Sequence, residues 1–224
     1  GGNTCTRSCQ FCNVNTGAGE PLDPLEPFKV AQSINIMKIK HAVITSVDRD
    51  DLEDGGSNHW VKTVDTIREF NPETTLETLI PDFQGNPEQL DKIIKVCPEI
   101  VSHNIETVRR LTKEVRIQAK YDRSLFVLKY LKENGMKTKS GIMCGMGESE
   151  DEILDTLHDL RNAGVDIVTL GQYMQPTSRH LKVADYVHPD IFAMYKREGQ
   201  RMGFEYIESG PLVRSSYHAE KHLL

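Results

Sequence analysis

The chain has 224 residues, 38% of them apolar and 27% charged, with a formal net charge of −6. That is enough apolar material for one large domain or two small ones. No apolar stretch reaches the roughly 18 to 20 residues that a membrane span needs, and no basic n-region with an apolar h-region opens the chain. The 27 basic and 33 acidic residues form no long single-sign block, which argues against a general nucleic-acid groove. The five cysteines, at 5, 9, 12, 97 and 144, are an odd and uneven set. They do not make a disulfide framework and point to a reducing compartment.

In chain order, the first informative feature is the CxxxCxxC run Cys5, Cys9, Cys12. Because the chain opens at Gly1 and this motif follows at once, we expect further sequence upstream. Short β-rich runs then recur at 42–46, 75–80, 99–103, 139–143, 166–170 and 204–207, with helical patterns between them. Asn86 before Pro87 reads as an N-cap followed by N1, with Leu90, Ile93 and Ile94 facing inward. The pattern over 121–134 stops at Gly135. Ser149 with Glu152 is a capping box, Ile153, Leu154, Leu157 and Leu160 share a face, and Gly164 sits at C′. His188 and Pro189 open a last helix that stops near Gly203.

This βαβ spacing with right-handed crossovers predicts a barrel or an open doubly wound sheet, and no linker divides the chain. Polar and glycine-rich residues cluster after the strands, at 45–51, 103–106, 145–148 and 171–177. In β/α barrels, that is where chemistry sits.

Three thiolates without a fourth Cys or His at short spacing do not complete a tetrahedral zinc site. They suit a 4Fe-4S cluster with one open iron. By the residues alone, an incomplete zinc site in a non-catalytic α/β module, or free thiols, remains an alternative. The chemistry of the cluster reading is specific: a side-chain base cannot take hydrogen from an unactivated methylene, whereas a low-potential cluster can drive radical chemistry. Eight scattered histidines offer no zinc-hydrolase motif, the serines no G-x-S-x-G elbow, and the acidic loop 48–54 no EF-hand spacing. We read that loop as solvated or facing a cofactor.

With Phe11 before Cys12, the run resembles the radical S-adenosylmethionine (SAM) superfamily. The wider context resembles the lipoyl synthase family over essentially the whole chain. The blocks that carry this are GNTCTRSCQFCNV at 2–14, TSVDRDDL at 45–52, HNIET at 103–107, YDRS at 121–124, KSGIMCGMGE at 139–148, LGQYMQPT at 170–177 and RSSY at 214–217. The resemblance implies an α/β fold, a single-domain partial (β/α)6 barrel of TIM type. Residues 1–209 would form the core and 210–224 a C-terminal segment at an auxiliary cluster.

It further implies that Cys5, Cys9 and Cys12 hold the SAM cluster, with Phe11 against the adenine and Asn13 beside it. Thr45, Ser46 and Asp48 would lie near the methionine end of SAM. Asn104, Glu106 and Arg123 would reach SAM or the acyl substrate. Gly141 and Gly145 would let backbone approach the adenosine. Read singly, Thr45 and Ser46 are also ordinary strand ends, Glu106 a solvated turn acid, and Arg123 an ion-pair partner at a helix start. Ser216 would be a ligand of a second, auxiliary 4Fe-4S cluster consumed as sulphur source, whose cysteines the family carries in an upstream CxxxxCxxxxxC segment. That spacing does not occur in these 224 residues, so sulphur insertion is not expected of them alone. Cys97 and Cys144 do not match it and read as packed thiols.

The implied reaction cleaves two SAM molecules and inserts sulphur at C6 and C8 of an octanoyl group on a lysine of a lipoyl carrier domain. Such carriers are the E2 subunits of 2-oxoacid dehydrogenases and the H protein of glycine cleavage. A ferredoxin or flavodoxin would supply electrons. The implied compartment is bacterial cytoplasm, or an organellar matrix in a eukaryote. The RSSY motif argues against methylthiolation or a mutase reaction.

Overall fold

The computed structural model describes residues 1–217 and 219–220. A two-residue parallel pair, β1 (Thr4–Cys5) and β2 (Asn15–Thr16), brackets the cysteine run. There follow α1 (Glu26–Met37), β3 (His41–Thr45), α2 (Ser57–Phe70), β4 (Thr75–Leu79), α3 (Pro87–Val96) and β5 (Ile100–Ser102). Then come α4 (Arg109–Val115), α5 (Tyr121–Glu133), β6 (Thr138–Cys144), α6 (Glu150–Asn162), β7 (Ile167–Gln172), α7 (Pro189–Met202) and β8 (Tyr206–Ser209). Strands β3 to β8 form one parallel sheet in sequential order. This is the expected six-stranded partial barrel, with β3 and β8 as its edges.

Where a side chain caps a helix, the sequence announces it. Ser149 accepts from the Glu152 amide while Glu152 reaches back to the Ser149 amide; Asn86 accepts from Glu88, and His188 from Asp190. Helices α1, α2 and α4 begin at Leu25, Gly56 and Val108 without a side-chain cap, and they escape the sequence signals. Tertiary packing forms them instead. In α2, Trp60, Val64 and Ile67 are buried against the sheet, each such side chain contributing about 1.5–3 kcal/mol.

One expectation needs correction. Cys97 is not a packed thiol but an exposed residue at the end of α3, held at φ 47° where the helix terminates; Cys144 alone is buried. The acidic loop, expected to be solvated or to face a cofactor, is held by its own side chains. Asp50 binds Arg7, Asp51 binds Arg49, and Asp54 accepts from the Gly56 and Asn58 amides at the start of α2. Of the C-terminal segment 210–224, residues 218 and 221–224 lie outside the described residues; 210–217 continue from β8 as turns.

Candidate functional site

The cysteine loop lies over the C-terminal ends of the strands, and four neighbours tie it there. Thr6 N donates to Asp48 O at 3.0 Å, and Gln10 N donates to Val115 O at 2.9 Å. Leu181 N donates to Gln10 O at 3.0 Å, and His180 Nε2 donates to Cys12 O at 3.1 Å. A fifth tie is ionic. Arg7 is buried, with Nε 2.7 Å from Asp50, Nη2 2.5 Å from Asp82 and Nη1 3.2 Å from Asp48. Burial disfavours ionisation of Asp82, but the hydrogen bond and charge of Arg7 prevail and hold its carboxyl far below the usual range. Burial instead raises Asp48, against the pull of Arg7.

Cys5, Cys9 and Cys12 are each half-buried. Burial pushes the Cys5 thiol up and carries Cys9 to about 11. Two backbone amides, Arg7 N and Asp48 N, point at Cys5 Sγ from 3.4 Å each and favour its thiolate. Among the described residues, no three His, Cys, Asp or Glu side chains converge as one metal ion would require. Three thiols on one loop suit a cluster in which each thiolate binds its own iron.

The three cysteines open on a cavity of about 610 Å³ lined also by Phe11, Asn13, Thr45, Ser46, Asp48, His103, Asn104, Glu106 and Arg116. In its wall, Asn104 Oδ1 and Arg116 Nε are buried without a hydrogen-bond partner, and Asp48 Oδ1 meets only the unaligned charge of Arg7. Orphaned buried polar atoms are costly, so a wall that carries three is built for a polar ligand. This donor set therefore fits a cluster and a charged, polar molecule bound beside it.

A second chamber of about 340 Å³ shares Phe11, Leu79, Asn104 and Glu106 with the first. It continues past Gly141, Ile142, Met143, Tyr173 and Val213, and Thr169, Gln172, Arg214 and Ser215 make the rest of its wall polar. Glu106 stands where the two meet. It is no solvated turn acid: its backbone takes φ 67°, its N–H donates to Gly141 O, its carbonyl accepts from Met143 N, and burial raises its carboxyl.

Ten of the residues singled out in the sequence thus line this connected space: Cys5, Cys9, Cys12, Phe11, Asn13, Thr45, Ser46, Asp48, Asn104 and Glu106. Gly141 joins through the second chamber. Two others stand apart. Arg123 pairs with Asp82 at 3.3 Å, the ion-pair role the sequence also allowed at a helix start. Gly145 is covered by the chain itself, with Asp185 O and Gln172 Nε2 only 2.3 Å from where a Cβ would stand. Ser216 is exposed, one residue beyond Ser215 in the wall of the second chamber.

Sequence reading missed Arg7, Arg116 and His180. Arg7 was within reach, since a cation between two candidate ligand thiols calls for buried counter-charges. Arg116 ends the short α4, where no periodicity marks it. His180 sits in an irregular loop eight residues after β7. A buried relay joins Arg116 to the wall: Arg116 donates to Ser124 Oγ, and His103 is held between Ser124 Oγ and Ile80 O. A carbonyl only accepts, so His103 Nδ1 carries the proton and Nε2 accepts from the Ser124 hydroxyl. Burial holds this ring neutral, down at about 4.

The Radical SAM superfamily profile matches residues 1–160. The mitochondrial lipoyl synthase of Nematostella vectensis is 65% identical over 223 residues, 99% of this chain and 77% of that protein. The lipoyl synthase of Flavobacterium johnsoniae is 64% identical over 224 residues, 100% of this chain and 78% of that protein. Among solved structures, Streptococcus suis SuiB bound to S-adenosylmethionine superposes with TM-score 0.74 at 12% identity, covering 93% of this chain and 48% of that one. HydG, a maturase of the FeFe-hydrogenase, superposes with TM-score 0.69 at 17% identity, covering 98% of this chain and 57% of that one. At such identities these two speak for the fold alone.

Proposed function

Because the chain belongs to the lipoyl synthase family of radical SAM enzymes, we propose that Cys5, Cys9 and Cys12 are the protein ligands of its SAM-binding 4Fe-4S cluster. The enzyme inserts two sulphur atoms, at C6 and C8, into an octanoyl group carried on a lipoyl carrier protein. When bound, the cluster supplies the low-potential electron that splits SAM and so makes hydrogen abstraction from an unactivated methylene accessible.

The residues divide that work. Arg7, clamped by Asp48, Asp50 and Asp82, sets the cysteine loop on the strand ends, and Arg123 steadies Asp82 from behind. Phe11, Asn13, Thr45, Ser46, Asp48, Asn104 and Glu106 form the polar half of the cavity and would receive SAM. Gly141 leaves its space to the Asn104 amide, whose Oδ1 would stand 2.9 Å from a Cβ. The second chamber, with Leu79, Ile142, Met143 and Val213 in its wall, would receive the octanoyl chain and keep water from the reacting carbons. Gly145, beneath the loop that follows β7, would act at one remove from the adenosine.

Ser216 would be the serine ligand of the auxiliary cluster, with 1–209 as core and 210–224 as the segment that brings it. The carrier domains of 2-oxoacid dehydrogenases and of glycine cleavage would supply substrate, and a ferredoxin or flavodoxin the electrons. All five cysteines are free thiols, which suits a reducing compartment, the bacterial cytoplasm or an organellar matrix. Among the described residues, no helix is long and apolar enough to cross a membrane.

The observation that carries the site assignment is the juxtaposition of three half-buried thiols with three under-satisfied polar atoms in one cavity. The test is isotopic. With a carrier bearing an octanoyl group deuterated at C6 and C8, deuterium should appear in the 5′-deoxyadenosine released. Its absence from that product, when SAM is being cleaved, would count against the chamber as the acyl site.

A further inference from the structure

Gly171 occupies an ordinary extended position in β7, paired with Met143 of β6, so its backbone gives no reason for glycine. Space does. A Cβ there would stand 2.1 Å from the Val213 carbonyl oxygen and 3.1 Å from its carbon, where ordinary contact begins at 3.4 Å. Glycine inside a strand often marks such a close approach of backbone. The approaching backbone is the segment beyond β8, and it is held on both sides of the contact. Gly210 N donates to Leu170 O at 3.1 Å, Val213 N donates to Gly210 O at 3.0 Å, and the Val213 side chain is buried. Arg214 Nη1 donates to the Val213 carbonyl at 3.0 Å, and Tyr217 N to the Arg214 carbonyl at 2.9 Å. Gly171, Val213, Arg214 and Ser215 all line the second chamber, as do Phe11 and Glu106.

We propose that Gly171 is a positioning residue: its missing side chain seats the Val213 carbonyl on β7, and this seat fixes where Ser215 and Ser216 stand over the acyl chamber. The inference rests on the reading of Ser216 as an auxiliary-cluster ligand and adds to it the device that aims the serine. Any side chain at 171 forces the segment back by more than an ångström, because the obstacle is a carbonyl and not a flexible side chain. Misplacement of that size affects the step in which sulphur meets the acyl carbon far more than it affects folding.

The test compares Gly171→Ala with Val213→Ala in the holoenzyme; the second variant loosens the seat without a clash. Amide exchange over residues 211–217 should rise about tenfold or more, while the core strands keep their protection. The number of SAM molecules cleaved per lipoyl group formed should rise roughly tenfold or more, since misplaced groups lose productive turnover. A general loss of stability would not move that ratio. Should Gly171→Ala fail to fold, Val213→Ala decides alone. Unchanged exchange and an unchanged ratio in the folded variants, beside a Ser216→Ala enzyme that forms no lipoyl group, overturn the seat and leave the Ser216 reading standing. A Ser216→Ala enzyme that still forms lipoyl groups overturns the reading on which the seat depends.

Discussion

The barrel holds two buried ionic clusters, one under its mouth and one within the sheet, and they are built to different rules. Within the sheet, Lys139 of β6 faces Glu77 of β4 at 2.8 Å, and Ser102 of β5 donates to the same carboxylate at 2.7 Å. Cation and anion are both fully buried, and no side-chain polar atom of the three is left without a partner. At the mouth, Arg7 faces three carboxylates, one of them shared with Arg123, while Asp48 Oδ1 lacks an aligned donor and Arg116 keeps an unpaired Nε. The balanced cluster is a structural element. The unbalanced one holds a loop in place and leaves polar capacity for something that binds.

Four perturbations would sharpen or break that contrast. Arg7→Met should have the largest effect. It leaves the fully buried Asp82 to Arg123 alone, beside two more carboxylates, at a cost of about 3–5 kcal/mol, and releases the cysteine loop. Iron retention under a chelator should drop, and SAM cleavage should fall about 100-fold or more; a variant with intact iron and turnover would mean that the loop does not need its clamp.

Lys139→Met should come next, destabilising by about 3–5 kcal/mol because Glu77 is left buried and unpaired. Adding Glu77→Leu should recover most of that, within about 1–2 kcal/mol of the parent, with SAM cleavage intact. Chemical denaturation of the single and double variants measures this, and a double variant no better than the single one would erase the distinction between the two clusters.

The third effect depends on pH. His103 is buried with its value held at about 4, against 6.5 ordinarily. As pH falls below 6.5 the unfolded chain binds this proton first, so the stability present above 6.5 is lost progressively down to about 4. The slope should reach about 1.4 kcal/mol per pH unit. His103→Gln should flatten that part of the stability profile, and an unchanged slope would assign the acid sensitivity to other groups. The smallest effect belongs to the capping box at α6. Ser149→Ala should cost about 1 kcal/mol and leave turnover alone, so a large loss of SAM cleavage there would show that the mouth is coupled to helix ends we regard as remote.

The same contrast explains what the sequence disclosed. Local chemistry was legible: the CxxxCxxC run, the Ser149–Glu152 box, the caps at Asn86 and His188, and six strands placed to within two residues at either end. Resemblance, and not any spacing of their own, singled out Asn104, Glu106 and Asp48, which line the cavity. Long-range pairing was not legible. Arg7 meets Asp82 across 75 residues, and His180 reaches Cys12 across 168. Arg123 carried two readings, a contact to cofactor or substrate and an ion pair at a helix start, and the contact seen is the ion pair with Asp82. Gly171 lay in a quoted motif, yet only the folded chain shows the carbonyl that excludes a side chain there.

The central claim is that Cys5, Cys9 and Cys12 together hold one cluster that cleaves SAM. Anaerobic reconstitution with iron and sulphide, followed by reduction in the presence of SAM, tests it most directly. The account predicts about four irons held by these thiols, release of 5′-deoxyadenosine and methionine, and loss of both on replacing any one of the three cysteines by alanine. A colourless protein that takes up a single zinc, or iron-loaded protein that leaves SAM intact under reduction, would contradict it.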